Sequence, residues 1–246
     1  MNRNRPLGLR PVALAAIAVL FGACDGSNAG DAADDAPTST PSTTPTTSSP
    51  DGPADLVDVA ENTSLQAGRY LVPYLAGQGD RDPAHSAMRG VVDLPEGYTG
   101  GGTVIESDHG DAAFWGHVTR VATDPCRGGS RQIGPSVFDL ATALAGQRHM
   151  SATRPRSVTV GGHHGLYVES HAPKDLDRCR HQEVVIYTGG GTWLQTDVPG
   201  GVFRWWILDV GGQRVVAATR SLPGTADADP LNHMMESAEF TSVDEP

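Results

Sequence analysis

Three cysteines carry the most direct chemistry in this 246-residue chain: Cys24, Cys126 and Cys179. A thiol can be acylated, act as a nucleophile, bind a metal or pair with another thiol. Cys24 stands at the end of an N-terminal apolar run and is accounted for there. That leaves Cys126 and Cys179 as a pair. In an oxidising compartment they are expected to form a disulfide closing a loop of more than fifty residues. In the chain-entropy model such a bridge contributes ~4 kcal/mol. Neither position reads as core, since Cys126 follows Asp124-Pro125 and Cys179 lies in a polar stretch. The alternative is a pair of free thiols acting as nucleophile or ligand. Four histidines lie close in sequence to Cys179: His163, His164, His171 and His181. Imidazole and thiolate together suit zinc or copper. However, no two histidines recur at i, i+4 on a helix and no H-E-x-x-H is present. Adjacent histidines on a strand point to opposite faces, so only a turn over Gly161–Gly165 could make His163 and His164 converge. If Cys179 is bridged, the group loses its best ligand. Exposed turn histidines are the plainer reading, and no metal ligand is assigned.

Other catalytic signatures are lacking. There is no G-x-S-x-G elbow, and Ser130 lies in a Gly-rich loop. Asp108-His109-Gly110-Asp111 puts acids beside a histidine in what reads as a turn. No phosphate-binding glycine pattern occurs, because neither Gly100–Gly102 nor Gly189–Gly191 leads into a helix. The chain has a single lysine, Lys174, in a charged loop, which disfavours Schiff-base chemistry. No catalytic residue and no cofactor are assigned. The N-terminal segment points to a location. Arg3, Arg5 and Arg10 precede the apolar segment Val12–Phe21, which is too short to span a bilayer as a helix. It ends in Leu20-Phe21-Gly22-Ala23-Cys24, similar to a bacterial lipobox, with Phe21 where Leu is usual. Residues 1–23 are expected to be a lipoprotein signal peptide and Cys24 the lipidated residue. Two or more acyl chains would hold a domain stably on a membrane. The alternative is an ordinary secretory signal with an incidental cysteine.

Residues 24–60 read as a disordered tether. Pro37–Pro50 contains nothing but Pro, Thr and Ser, so it has no apolar side chains with which to offset ordering entropy. Removing Arg3, Arg5 and Arg10 with the signal takes the formal net charge from −11 to −14. No basic stripe remains, so nucleic acid is not an expected partner. The expected partners are the membrane, through Cys24, and a protein or small ligand of the cell envelope.

The positioning elements belong to a single domain over 61–246. Its densest apolar stretch is Phe203–Arg220, read as two strands joined by Gly211-Gly212. That turn sets Trp206 opposite Ala217, Trp205 opposite Ala218 and Asp209 opposite Arg214. Both faces are apolar, so the hairpin is expected to be central and covered on each side. Further strands are expected at Gly68–Pro73, Met88–Leu94, Gly102–Glu106, Phe114–Ala122, Ser157–Val160, Leu166–His171, Glu183–Tyr187 and Thr192–Thr196. Helices are expected at Pro135–Ala145, with Ser136 and Asp139 as a capping box, and after Asp229-Pro230. Phe240 is expected to return to the sheet. The fold class is α+β, an antiparallel sheet of hairpins packed with about two helices. Phe114, Trp115, Trp193, Trp205 and Trp206 read as core, with a groove as the alternative.

Short motifs add a resemblance. Leu65-Gln66-Ala67-Gly68-Arg69-Tyr70 precedes Asp93-Leu94-Pro95-Glu96-Gly97-Tyr98. Trp206–Gly212 is followed by Glu236-Ser237-Ala238-Glu239-Phe240. Over Leu65–Phe240 the chain resembles actinobacterial secreted lipoprotein domains of the PsbP-like fold. Tyr98 replaces their Trp and Ala238 their Ile. The resemblance implies an antiparallel sheet packed between helices and transfers no catalytic residue. The sequence-level expectation is a non-enzymatic binding lipoprotein. An envelope enzyme using His163, His164, His171 or His181, and a structural accessory subunit, are the alternatives.

Overall fold

In the computed structural model, Val202–Val210 and Gln213–Ser221 form the expected hairpin, and the register is the expected one. Trp206 pairs with Ala217, Trp205 with Ala218 and Asp209 with Arg214. Gly211 and Gly212 adopt φ of 60° and 83°, the positive values a tight two-residue turn requires. The structure describes residues 52–75, 87–189, 192–225 and 230–242, all within one compact unit. The segment 1–23, Cys24, most of the 24–60 stretch and Asp229 lie outside the described residues.

In chain order, the first strands are β1 (Ala54–Asp55), β2 (Thr63–Leu65), β3 (Gly68–Leu75), β4 (Met88–Leu94), β5 (Tyr98–Gly101), β6 (Val104–Ser107) and β7 (Gly110–Gly116). Next come β8 (Arg120–Ala122), β9 (Ser130–Gln132) and the helix α1 (Val137–Ala145). They are followed by β10 (Ser151–Ala152), β11 (Arg156–Val160), β12 (His163–His171), β13 (Val184–Gly189) and β14 (Thr192–Thr196). The central hairpin supplies β15 and β16, and the chain continues with α2 (Pro230–Glu236) and β17 (Glu239–Ser242). The main sheet runs β10-β12-β15-β16-β7-β3-β4-β17. Pairing is antiparallel except where β3 meets β1 and β7. The result is a β-rich α+β fold, mostly antiparallel sheet with two described helices.

Alternation along the hairpin divides the core into two layers. Trp206, Leu208, Val215 and Ala217 face one layer with Phe114, Tyr74 and the α2 residues Leu231, Met234 and Met235. Trp205, Phe203, Ile207, Val216 and Ala218 face the other with Leu140, Ala141 and Leu144 of α1. Both tryptophans are fully buried. The small alanines opposite them leave room for the rings. Gly90 does the same for Phe114, because a Cβ there would lie 2.5 Å from that ring.

Four expectations need correction. First, the tether does not extend to Ala60. β1 pairs with β3, Leu56 is fully buried, and Asp55 accepts from Arg89 Nε at 3.1 Å. Burying Leu56 and pairing Asp55 with an almost fully buried arginine ties this segment into the domain. Second, Phe114–Ala122 is two strands. His117, at φ 46°, turns the chain out of the sheet, and β8 pairs with β9 instead. Third, the turn after β11 consists of Gly161 and Gly162 alone, so His163 and His164 begin β12. Fourth, Cys126 and Cys179 are core residues. They form the expected disulfide, and both are buried within the α1-side layer.

Candidate functional site

The ends of several elements meet around a cleft of about 640 Å³. This lies within the range of small-molecule sites, about 300–1,000 Å³. Tyr74 comes from the end of β3, where it pairs with Phe114 of β7. Gly116 and His117 close the end of β7, Gln132–Pro135 lead from β9 towards α1, and Gly212–Val215 bring the hairpin turn. Met88, Ile133, Pro135 and Val215 give the cleft apolar wall.

Arg214 organises this end of the molecule. Its guanidinium donates to the carbonyls of Gly134 at 2.6 Å and Ser136 at 2.9 Å, and also to that of Val118. It therefore ties the hairpin to the segments on either side of β8 and β9. Its Nε is buried and has no hydrogen-bond partner among the described residues. The two acids placed to neutralise it are engaged elsewhere. Asp209, its cross-strand neighbour, accepts from the Gly212 N–H at 2.8 Å. Asp139 is held by the Ser136 cap, through the backbone N–H at 3.1 Å and the hydroxyl at 2.7 Å. Burial lowers the pKa of Arg214, and the charge of Asp139 only partly opposes that.

Tyr74 is the second feature. It is 5% exposed, and its hydroxyl is buried with no partner among the described residues. Burial pushes its phenol well above the ordinary value, so at neutral pH it remains a hydrogen-bond donor. Buried polar groups are nearly always satisfied, and an exception calls for an explanation. Neither residue was singled out from sequence. Alternation of Tyr70, Val72 and Tyr74 marks a core face, and the hairpin register sets Arg214 across from Asp209, which by itself points to no ligand.

The residues that were singled out lie elsewhere and do not converge. The His163 ring packs edge-on against Phe240 with centroids 5.5 Å apart. His164 Nδ1 lies 3.0 Å from the Thr159 hydroxyl. His171 Nε2 lies 3.0 Å from Glu169 Oε1. His181 occupies a short 3-10 turn at φ 62°. Among the described residues no group of three or more His, Cys, Asp or Glu is arranged to hold a metal ion. Ser130 accepts from Arg120 at 3.0 Å, and Lys174 is exposed. Phe114, Trp115, Trp205 and Trp206 are core, while the Trp193 side chain lies outside the described part.

A second cleft, of about 350 Å³, has the opposite character. Glu106, Asp108, Asp111 and Asp197 line it, with Arg220 as the cation. Asp111 is already paired with Arg220. No family model, curated protein or solved structure matches the chain.

Proposed function

We propose that the protein is a membrane-anchored extracytoplasmic lipoprotein whose single domain binds a small ligand at the cell envelope without transforming it. The observation that carries the binding reading is the cleft at the β3, β7 and hairpin ends, one of whose lining residues, Tyr74, has a buried hydroxyl with no partner among the described residues. The anchor rests on Leu20–Cys24 and the Pro/Thr/Ser run that follows it. Kinship with secreted PsbP-like lipoprotein domains belongs to the same proposal. It draws support from the order of elements, since β4 leads into the Pro95–Tyr98 turn and α2 into the closing strand β17.

Mass spectrometry of the full chain purified from its host membrane tests both halves. Comparison of native with denatured, non-reduced protein is expected to show a small mass that is lost on denaturation. The denatured chain is expected to start at Cys24 and carry acyl groups. Equal native and denatured masses would count against ligand binding, and an unacylated chain would remove the anchor.

A further inference from the structure

We propose that the cleft takes a small organic carboxylate, with Arg214 supplying the balancing charge, the Tyr74 hydroxyl donating to the carboxylate, and Met88, Ile133 and Val215 holding an apolar body. This deepens the binding reading above and rests on it. The first argument is charge. The protein is strongly acidic, with 29 Asp and Glu against 18 Lys and Arg. Yet among the described residues lining this cleft there is no carboxylate. The cleft lined by Asp197 has the opposite, acidic character.

The second argument is satisfaction. Arg214 is hydrogen-bonded by carbonyl dipoles and feels the Asp139 charge without bonding it, and its Nε–H has no acceptor among the described residues. A half-buried cation whose charge is only partly compensated is costly, and an anion entering the cleft relieves that cost. The Tyr74 hydroxyl has no acceptor among the described residues, and an oxyanion would supply one. Burial keeps that proton in place, so it is available as a donor.

The third argument selects the class of anion. One guanidinium, three of whose five N–H donors are committed, and one hydroxyl without an acceptor among the described residues match a single negative charge with two acceptor oxygens. A doubly charged phosphate would bring a second charge, and the described walls hold no Arg or Lys besides Arg214. The apolar wall from Met88, Ile133, Pro135 and Val215 favours an acid with a hydrocarbon or aromatic body over a bare ion.

The test uses the full-length lipoprotein in detergent and three probes of similar shape: benzoate, benzamide and benzylamine. Affinities are read by titration calorimetry or by chemical-shift perturbation. Benzoate is expected to bind at least ~10-fold more tightly than benzamide, and benzylamine is expected not to bind, because hydrogen bonds to a charged group exceed neutral ones. Tyr74→Phe removes only the hydroxyl and is expected to weaken benzoate ~10-fold. Asp197→Asn, in the other cleft, is expected to leave benzoate binding unchanged. Arg214→Gln is expected to abolish the preference for benzoate over benzamide, with thermal melting confirming that the variant folds. Equal or tighter binding of benzamide or benzylamine would overturn the carboxylate inference while leaving a ligand-binding cleft. Benzoate binding that ignores Tyr74→Phe would also overturn it. Failure of all three probes, together with equal native and denatured masses, would sink the binding reading itself.

Discussion

Glu169 shows how one side chain can govern the response of the protein to acid. It sits on β12 opposite Arg204 of β15 and accepts from the Arg204 Nε at 2.9 Å. His171 and the Tyr167 hydroxyl reach the same carboxylate at 3.0 and 3.2 Å. Burial alone would push its pKa up. The contacts with His171, Arg204 and Tyr167 outweigh burial and hold it below the ordinary value. The folded state therefore binds the Glu169 proton less readily than the unfolded chain does. The stability this gives is fully present above the unfolded pKa, about 4.3, and is lost as pH falls through the lower folded value. Thermal melts of wild type and Glu169→Gln across pH 2.5–7 check this. At pH 7 the variant is expected to lose roughly 2 kcal/mol, because Arg204, almost fully buried, is left with a weaker partner. At the acid end the two curves are expected to converge. A difference independent of pH would show that the Glu169 charge plays no part.

At the scale of elements, α1 is where local sequence and tertiary packing agree most closely. Ser136 accepts from the Asp139 N–H at 3.1 Å, and Asp139 accepts from the Ser136 N–H, so the capping box read from sequence is present in full. Leu140, Ala141 and Leu144 bury on the α1-side layer, while Phe138 remains exposed. Ser136→Ala is expected to cost ~1 kcal/mol by urea denaturation, with the m-value unchanged. The central hairpin was equally legible, since its Gly-Gly turn fixes a register that sequence periodicity can follow. Legibility failed where the signal is not local. β5 at Tyr98–Gly101 has two glycines, and Gly100 fits because a Cβ there would meet the Val104 carbonyl at 2.7 Å. No propensity scale marks such a segment as a strand. The break at His117 depends on a positive φ at a non-glycine residue, and β1 forms only because Leu56 and Asp55 find partners far along the chain. The cleft was invisible for the same reason. Tyr74 and Arg214 are far apart in the chain, and what distinguishes them is one buried donor each, the Tyr74 hydroxyl and the Arg214 Nε, without an acceptor among the described residues, which only the assembled fold can reveal.

At the scale of the whole molecule, the Cys126–Cys179 bridge joins the stretch between β8 and β9 to the turn ahead of β13, across 53 residues that include α1 and β12. Without it, β8–β9 and β13–β14, which form small sheets apart from the main one, would be held to each other by packing and hydrogen bonds, such as those of Gln147 to the Ala122 and Ile186 carbonyls. Backbone contacts complete the junction: Arg180 N–H donates to the Cys126 carbonyl at 2.8 Å and Val185 N–H to that of Pro125 at 3.0 Å. Closing a loop of this length is worth ~4 kcal/mol in the chain-entropy model. For a domain of this size each kcal/mol moves the melting temperature by roughly 2–4 °C. The Cys126→Ser, Cys179→Ser double variant is therefore expected to melt ~10 °C below wild type while keeping the same far-UV circular dichroism. Because both sulfurs are buried, reductant added to the native protein is expected to act slowly, at a rate that follows local or global opening. Thiol labelling in denaturant without reductant completes the argument. An oxidised chain offers no reactive thiol outside Cys24, as an oxidising extracytoplasmic location requires. Two labels outside Cys24 on protein from the host would mean that the bridge does not form there, and the proposed location would lose its support from the cysteines.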